Sequence, residues 1–353
     1  MRNALDIVSN RAKTIMADVP AANAADAAAE LAALKSGLQD FLVVVQNKDR
    51  QEVPVAQQRL LGLVGNVEED MVGAFPFEVP AEYDALPQLR GRATVEMTLR
   101  LKAGKSGDPS NKTAVLTAVL DGYNAPVSAG AFADLVQRKF YDGMEIQRSD
   151  GFVVQSGDPG DGKVGFSAGG KLRTVPLEIK MAGDKAPLYE ETVEEAGRFK
   201  DDVALPFNAY GTMALARGEF DDNSASSQFF MLLKESDLTP SGTNILDGRY
   251  AVFGYVVDGQ VCGGVWGGEG FRQWGGRLRR WRVALRACTR VPAARLPAAC
   301  RQEQLRDVKV GDTIESVRIL KGAELLKTPK GPPPAPEPEP AAAEPAAEAP
   351  ASS

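Results

Sequence analysis

The feature that most constrains this chain is a change of hydrophobic period near Arg92. Before it, apolar residues recur at spacings of three and four, the mark of one helix face. In "AAAELAALKSGLQDFLVVVQNK" these are Leu31, Leu34, Leu38, Phe41 and Val45; in "VPVAQQRLLGLVGNVEEDMV" they are Leu60, Val64, Val67 and Met71. Leu5, Val8 and Ile15 indicate a shorter first helix, and Pro54 suits a first helical turn. The spacing therefore predicts a bundle of three helices over residues 1–74. The stretch 75–91, "FPFEVPAEYDALPQLRG", is punctuated by proline and reads as a linker.

From Arg92 the period is two. Val95, Met97, Leu99 and Leu101 alternate with polar residues, and "TAVLTAVL" repeats this after a loop holding Gly107 and Pro109, so the pair reads as a hairpin. Strand-like runs continue in "FVVQ", "TVPLEI", "GTMALAR", "SQFFMLL", "YAVFGYVV" and "DTIESVRIL", while only "SAGAFADLVQRKF" reads as helix. Many short strands with few helices argue for closure, since closing a sheet removes its edges. The expected fold is an α+β multidomain chain, with the N-terminal helical bundle followed by a closed antiparallel β-barrel over 92–326.

Two segments stand apart. Residues 327–353 run into "PKGPPPAPEPEPAAAEPAAEAPASS", which holds too little apolar surface to order itself and is expected to be disordered. Residues 261–302 contain all three Cys and all three Trp of the chain, and nine Arg against one acid, Glu269. This segment has neither strand nor helix period. Its first residue, Val261, can encode a splice donor and its last, Gln302, an acceptor. It reads as a translated intron or disordered insert, against a competing reading as a basic arm for nucleic acid or membrane.

Composition removes several chemistries. The net charge of −6 does not favour nucleic acid as a partner of the whole chain. No run of 18 apolar residues exists, so no membrane span is expected, and "MRNALDIVSNRAKTIM" lacks the apolar core of a signal peptide. There is no histidine, which excludes Ser-His-Asp and Cys-His catalysis. The three cysteines, all between Cys262 and Cys300, lack zinc-site spacing, so no metal site is expected. "GDPGDGKV" (157–164) imitates a phosphate loop, but Val164 stands where a Ser or Thr hydroxyl is needed.

One stretch poses a chemical question. In "FYDGMEIQRSDGFVVQSGDP" (140–159), Arg148 and Gln155 sit on strands whose neighbours Ile146, Phe152, Val153 and Val154 look like core. A buried guanidinium is costly unless it is paired or put to use. Together with "NAPVSAGAFADLV", "GTMALAR", "NSASSQFFMLL" and "LDGRYAVFGYVV", this stretch resembles the cyclophilin family of peptidyl-prolyl isomerases. The wording, with the helical segment ending in "EEDMVGAFPFEVPAEYDALPQLRGRA", is similar to the multidomain branch of the thylakoid lumen of plants and green algae.

The resemblance implies catalytic roles for Arg148 and Gln155, with Gln155 orienting the guanidinium. It implies a proline pocket of Phe152, Val153, Phe230 and Leu246, and a groove of Gln228, Ala214 and Ala216 for the preceding residues. The chain departs from the family pattern at Ile146, Gln147, Val153, Leu215, Ile245 and Tyr250, and its loop between Arg148 and Phe152 is one residue shorter. The departures imply weakened turnover and poor cyclosporin binding. Two functions follow as expectations. One is a cofactor-free prolyl isomerase and chaperone in the chloroplast thylakoid lumen that assists photosystem II assembly. The other is a weakly active scaffold binding lumenal loops of photosystem II core or core-antenna subunits.

Overall fold

The computed structural model describes residues 2–49, 52–103, 110, 112–160, 164–233, 244–260 and 303–329. The insert at 261–302, the tail from 330, the loop holding Gly107 and Pro109, and residues 161–163 of the phosphate-loop imitation lie outside the described residues.

The N-terminal part forms α1 (Arg2–Asn10), α2 (Ala12–Ala17), α3 (Ala24–Gln46) and α4 (Glu52–Asp70). The single short first helix expected from Leu5, Val8 and Ile15 is split, because Arg11 leaves helical geometry at φ −108°, ψ 9°. Leu31, Leu34, Leu38 and Phe41 of α3 pack against Ala56, Leu60 and Val67 of α4 and Val8 of α1. Val45 and Val64, expected on these stripes, are exposed; the stripes continue three residues on, through Val44 and Leu63. At the C-terminus of α4 the Asp70 carbonyl has no helical partner, and Asn23 Nδ2 donates to it at 3.0 Å.

The main sheet has eight antiparallel strands: β1 (Arg92–Arg100), β2 (Thr113–Asp121), β3 (Arg148–Ser149), β4 (Val153–Ser156), β5 (Thr212–Leu215), β6 (Phe229–Leu232), β7 (Val252–Gln260) and β8 (Thr313–Lys321). Their order is β8-β1-β2-β7-β5-β6-β4-β3. β1 and β2 form the expected hairpin, in register from Arg92 opposite Asp121 to Arg100 opposite Thr113, with alternate residues buried. "TVPLEI" contributes a two-residue pairing, Glu178–Ile179 with Leu188–Tyr189, and a single bridge from Val175 to Ala225; Pro176 between them has no N–H to join the two into one ladder.

The expected closed barrel does not form. The sheet is an open, curled half-barrel whose edge strands β8 and β3 do not pair. The segment just before β3 meets the start of β8 through a single bridge between Glu145 and Thr313, flanked by Gly143 N–H donating to Ile314 O, Ile146 N–H to Asp312 O, Gly311 N–H to Ile146 O and Ile314 N–H to Met144 O. The reason is local: β3 is two residues long and turns away at Asp150-Gly151.

The sheet curls over α5 (Pro126–Gln137), a helix buried from Pro126 to Val136 and apolar on nearly every side. Phe132 on α5 centres an aromatic cluster, with ring centroids 5.0 Å from Tyr141 and 5.1 Å from both Phe229 and Phe253. The helix crosses residues 87–88 at Gly130, where a Cβ would lie 2.5 Å from the Pro87 carbonyl. Its N-cap, Ala125, has no side-chain acceptor. Glu178 supplies one from 50 residues away, accepting from Val127 N–H at 3.1 Å and Ser128 N–H at 2.7 Å. Asp134, also buried, is neutralised by Arg138 and Arg173.

Val79, Tyr83 and Leu89, within 75–91, are buried in this same core, and Gln88–Leu89 pairs with Leu326–Lys327. A short helix, α6 (Glu303–Asp307), leads back to β8. Gln260, at the end of β7, pairs opposite Val115, and the Gln304 side chain accepts from Val115 N–H at 3.2 Å. The elements flanking 261–302 therefore meet at one residue of β2.

Candidate functional site

Directly opposed residues in an antiparallel sheet share a face. The registers set Arg148 opposite Gln155, Gln155 opposite Phe230, Phe230 opposite Ala214 and Ala214 opposite Val252. Five strands thus contribute one row across the sheet, with a cation at its edge and apolar residues along the rest. Two positions along β4, Val153 lies on the same face opposite Leu232. Phe152, Val153, Ala214, Ala216, Phe230 and Leu246 fall into one apolar cluster with Phe207, Leu232, Val252 and Tyr250. It is distinct from the core under α5, which takes the alternate residues Val154, Met213, Phe229 and Met231.

Gln228 joins this cluster through a polar chain. Gln155 Nε2 donates to Gln228 Oε1 at 3.0 Å, and Gln228 Nε2 donates to the Val164 carbonyl at 3.3 Å. Gly157 permits the approach: its φ is +99°, and a Cβ there would sit 2.3 Å from the Ser227 carbonyl. The registers, the apolar cluster and this polar chain thus place Arg148, Gln155, Gln228 and the six apolar candidates on one side of the sheet, whereas Ile146 and Leu215 belong to the core under α5.

Arg148 differs from its expected setting. Its side chain is 55% exposed, so the buried guanidinium that the apolar neighbours suggested is not found. β3 is an edge strand, and an edge residue can stand in solvent beside core neighbours. Nor does Gln155 hold the guanidinium, since its amide is turned to Gln228. The holder is Asp150, whose Oδ2 accepts from Arg148 Nε at 2.7 Å and lies 2.6 Å from Nη2. Asp150 Oδ1 accepts from Phe152 N–H and Val153 N–H, both at 2.9 Å. Desolvation pushes the Asp150 carboxyl up, but those two N–H groups and Arg148 outweigh it and hold it down at about 2. A guanidinium has five N–H donors, so the remaining ones can face a ligand.

Sequence reasoning missed three parts of the site. Asp150 was visible only as an Asp-Gly turn two residues after the arginine; Asp commonly bonds backbone N–H groups of its own turn. Phe207 stacks on Phe230 at 5.9 Å and 5°. Arg217 lies 4.9 Å over the Tyr250 ring, which meets Phe230 edge-on at 5.5 Å; the guanidinium is fixed by the Arg249 and Gly218 carbonyls and by Asp222. No signal in the sequence marked these two.

A curled antiparallel sheet packed on a buried helix, with an apolar cluster on its other face and Arg148 at its edge, defines the class: a half-barrel domain with a surface site built across its strands. The comparisons narrow the class. Residues 110–262 match the cyclophilin type peptidyl-prolyl cis-trans isomerase family, and residues 1–72 match the PsbQ-like domain of CYP38-like peptidyl-prolyl cis-trans isomerases. The chain is 48% identical over 298 residues to the chloroplastic peptidyl-prolyl cis-trans isomerase CYP38 of Arabidopsis thaliana, covering 84% of this chain and 58% of that protein. It is 47% identical over 249 residues to a thylakoid lumen peptidyl-prolyl cis-trans isomerase of Synechocystis, covering 70% of this chain and 62% of the relative. It is also 30% identical over 154 residues to peptidyl-prolyl cis-trans isomerase-like 1 of Mus musculus, covering 42% of this chain and 72% of that protein. The chain thus spans about three fifths of the length of the first two relatives. It belongs to the cyclophilin-type peptidyl-prolyl cis-trans isomerase family.

Proposed function

We propose that this chain isomerises X-Pro bonds in protein segments laid across the row from Arg148 to Ala214. The observation that carries this reading is the row itself: a solvent-facing guanidinium in register with Gln155 and the apolar cluster of Phe230. Rotation about an X-Pro bond faces a barrier of about 18–20 kcal/mol from amide resonance. In the twisted transition state the prolyl nitrogen becomes pyramidal and basic. With the proline ring against Phe152, Val153, Phe230 and Leu246, Arg148 donates a hydrogen bond to that lone pair. The planar ground state offers no such acceptor, so the interaction selects the transition state. Gln155 and Gln228 bind the backbone ahead of the proline, over Ala214 and Ala216. The chemistry uses side chains alone.

Arg148→Ala should lower kcat/KM for an Ala-Pro peptide by about 10²–10³-fold while leaving the fold intact, the usual cost of losing a transition-state donor. Parental turnover by the purified variant would remove Arg148 from the mechanism.

The names of the first two relatives support placing the protein in the thylakoid lumen. There it would act as a chaperone in photosystem II assembly, on lumenal loops of core or core-antenna subunits, with residues 1–74 as a docking platform. A second reading is a weakly active scaffold that grips proline loops without turning them over. The Arg148–Asp150 ion pair favours it, because it occupies part of the guanidinium and offsets its charge. An Asp150→Asn variant that turns over faster than the parent supports the second reading; one that turns over more slowly supports the first, with Asp150 as a positioning residue.

A further inference from the structure

A cleft of about 500 Å³ adjoins the apolar cluster on the side away from Gln228. It is lined by the chain from Val193 to Asn208 and by the turn from Asn244 to Arg249. Two large apolar side chains stand open in it, Phe199 at 69% and Ile245 at 67% exposure. Its floor, Phe207, is the ring stacked on Phe230, so cleft and proline pocket share a wall.

The cleft is rigidly built. Phe207 N–H donates to Asp247 Oδ1 at 2.7 Å, and Asn244 Nδ2 donates to the Phe207 carbonyl at 3.0 Å. Asp247 Oδ2 in turn accepts from Asn244 N–H at 2.8 Å, and Val193 N–H donates to the Gly248 carbonyl at 3.0 Å. A site held in this way binds without first ordering itself.

Its charge is one-sided. Glu194, Asp201, Asp202 and Asp247 line it, against Arg249. The bases nearby are engaged: Arg249 on Glu194, Arg198 on Asp184 and Asp201, and Lys200 over the Phe199 ring. Among the described residues, the Asp202 carboxylate has no partner. A segment that fits therefore brings an apolar side chain for Phe199 and Ile245, and a positive charge for Asp202.

We propose that this cleft is the subsite for the residues that follow the proline, selecting an aromatic or aliphatic residue and then Lys or Arg. The proposal rests on the reading of the proline pocket given above. Gln228 and Ala216 lie at one end of the β5–β6 ladder; at the other Gly211 N–H meets the Leu232 carbonyl, and Pro206, next to Phe207, accepts from the hydroxyl of Tyr255, the residue opposite Thr212. If the residues before the proline run over Gln228 and Ala216, those after it enter the cleft. An aliphatic, open Ile245 then serves the flanking segment.

The test is calorimetric titration of the full chain with Ala-Ala-Pro-Phe-Lys, with the same peptide ending in Glu, and with both carrying Ala for Pro. The Lys peptide should bind at least about threefold tighter than the Glu peptide, the span of an exposed ion pair, and more so at low salt. Asp202→Lys, at an exposed and unpartnered position, should reverse that preference, and Phe199→Ser should weaken both peptides. Equal binding of Lys and Glu peptides, or a preference that survives Asp202→Lys, overturns the subsite; if binding still requires the proline, the pocket stands alone. A Lys preference that persists in the Ala-for-Pro pair at undiminished affinity keeps the cleft and removes the proline pocket. No binding of any peptide removes both.

Discussion

Among the described residues, the core shared by α1, α3 and α4 contains no buried polar or charged side chain, whereas the sheet region buries Asp121, Asp134, Glu178 and Asp312. The two regions satisfy their backbones differently. A helix bonds its own N–H and C=O groups except at its ends. The curled sheet is joined by long loops whose N–H groups need other acceptors. Asp121 accepts from Tyr123 and Asn124, Asp312 from Lys102 and Lys309, and Glu178 from Val127 and Ser128. Asp150 does the same for Phe152 and Val153 and grips Arg148 besides. The lesson is that carboxylates which hold loops in the sheet region also aim the site, so a site of this kind belongs on the sheet rather than on the helices.

The contrast can be broken in several ways, the largest first. Phe132→Ala empties the centre of the aromatic cluster and should destabilise the sheet region by about 3–5 kcal/mol. Leu34→Ala in the smaller helical core should cost nearer about 2–3 kcal/mol. Urea unfolding measures both, and equal costs would mean that the two cores pack alike. Glu178→Gln replaces one acceptor oxygen by a donor and should cost about 1–3 kcal/mol, with exchange protection lost first at Val127 and Ser128. If those two amides stay protected, the cap at the N-terminus of α5 is not what Glu178 provides.

Deleting 261–302 joins Gln260 to Glu303, beside the residue at which both flanking elements meet. The sheet should keep its fold, with stability unchanged or raised by about 1–3 kcal/mol through the shorter loop. Loss of folding would show the segment to be structural.

The smallest effect is a titration. The Asp150 carboxyl is depressed to about 2 in the folded chain, against about 3.9 when unfolded. A depressed carboxyl contributes stability that is present above pH about 4 and is lost as pH falls through about 2. Carbon-detected NMR should place its midpoint near 2, moving upward in Arg148→Ala. A midpoint near 3.9 in the intact chain would mean that neither the N–H groups of Val153 and Phe152 nor Arg148 hold the carboxylate in solution.

Some of this was legible in the residues. Spacings of three and four located α3 and α4, and strict alternation located β1 and β2, because each period records which face of an element meets the core. The same spacing failed by one residue at Val45 and Val64, since a stripe does not say whether it continues by three or by four. The run around Arg148, with the blocks near Phe230 and Leu246, marked the candidate site residues, and the registers set Arg148, Gln155, Phe230 and Ala214 in one row.

The order of residues thus contains the division into a helical part and a stranded part, and the residue types available for chemistry: one arginine among apolar neighbours, and no histidine. It took the folded chain to show that Asp150 rather than Gln155 holds Arg148, that Phe207 lies beneath Phe230, that Glu178 caps a helix 50 residues away, and that the sheet stays open at a two-residue edge strand. The physical reason is that periodicity encodes burial, which a residue carries with it. A partner across the fold depends on where loops bring the chain back, and no local pattern records that.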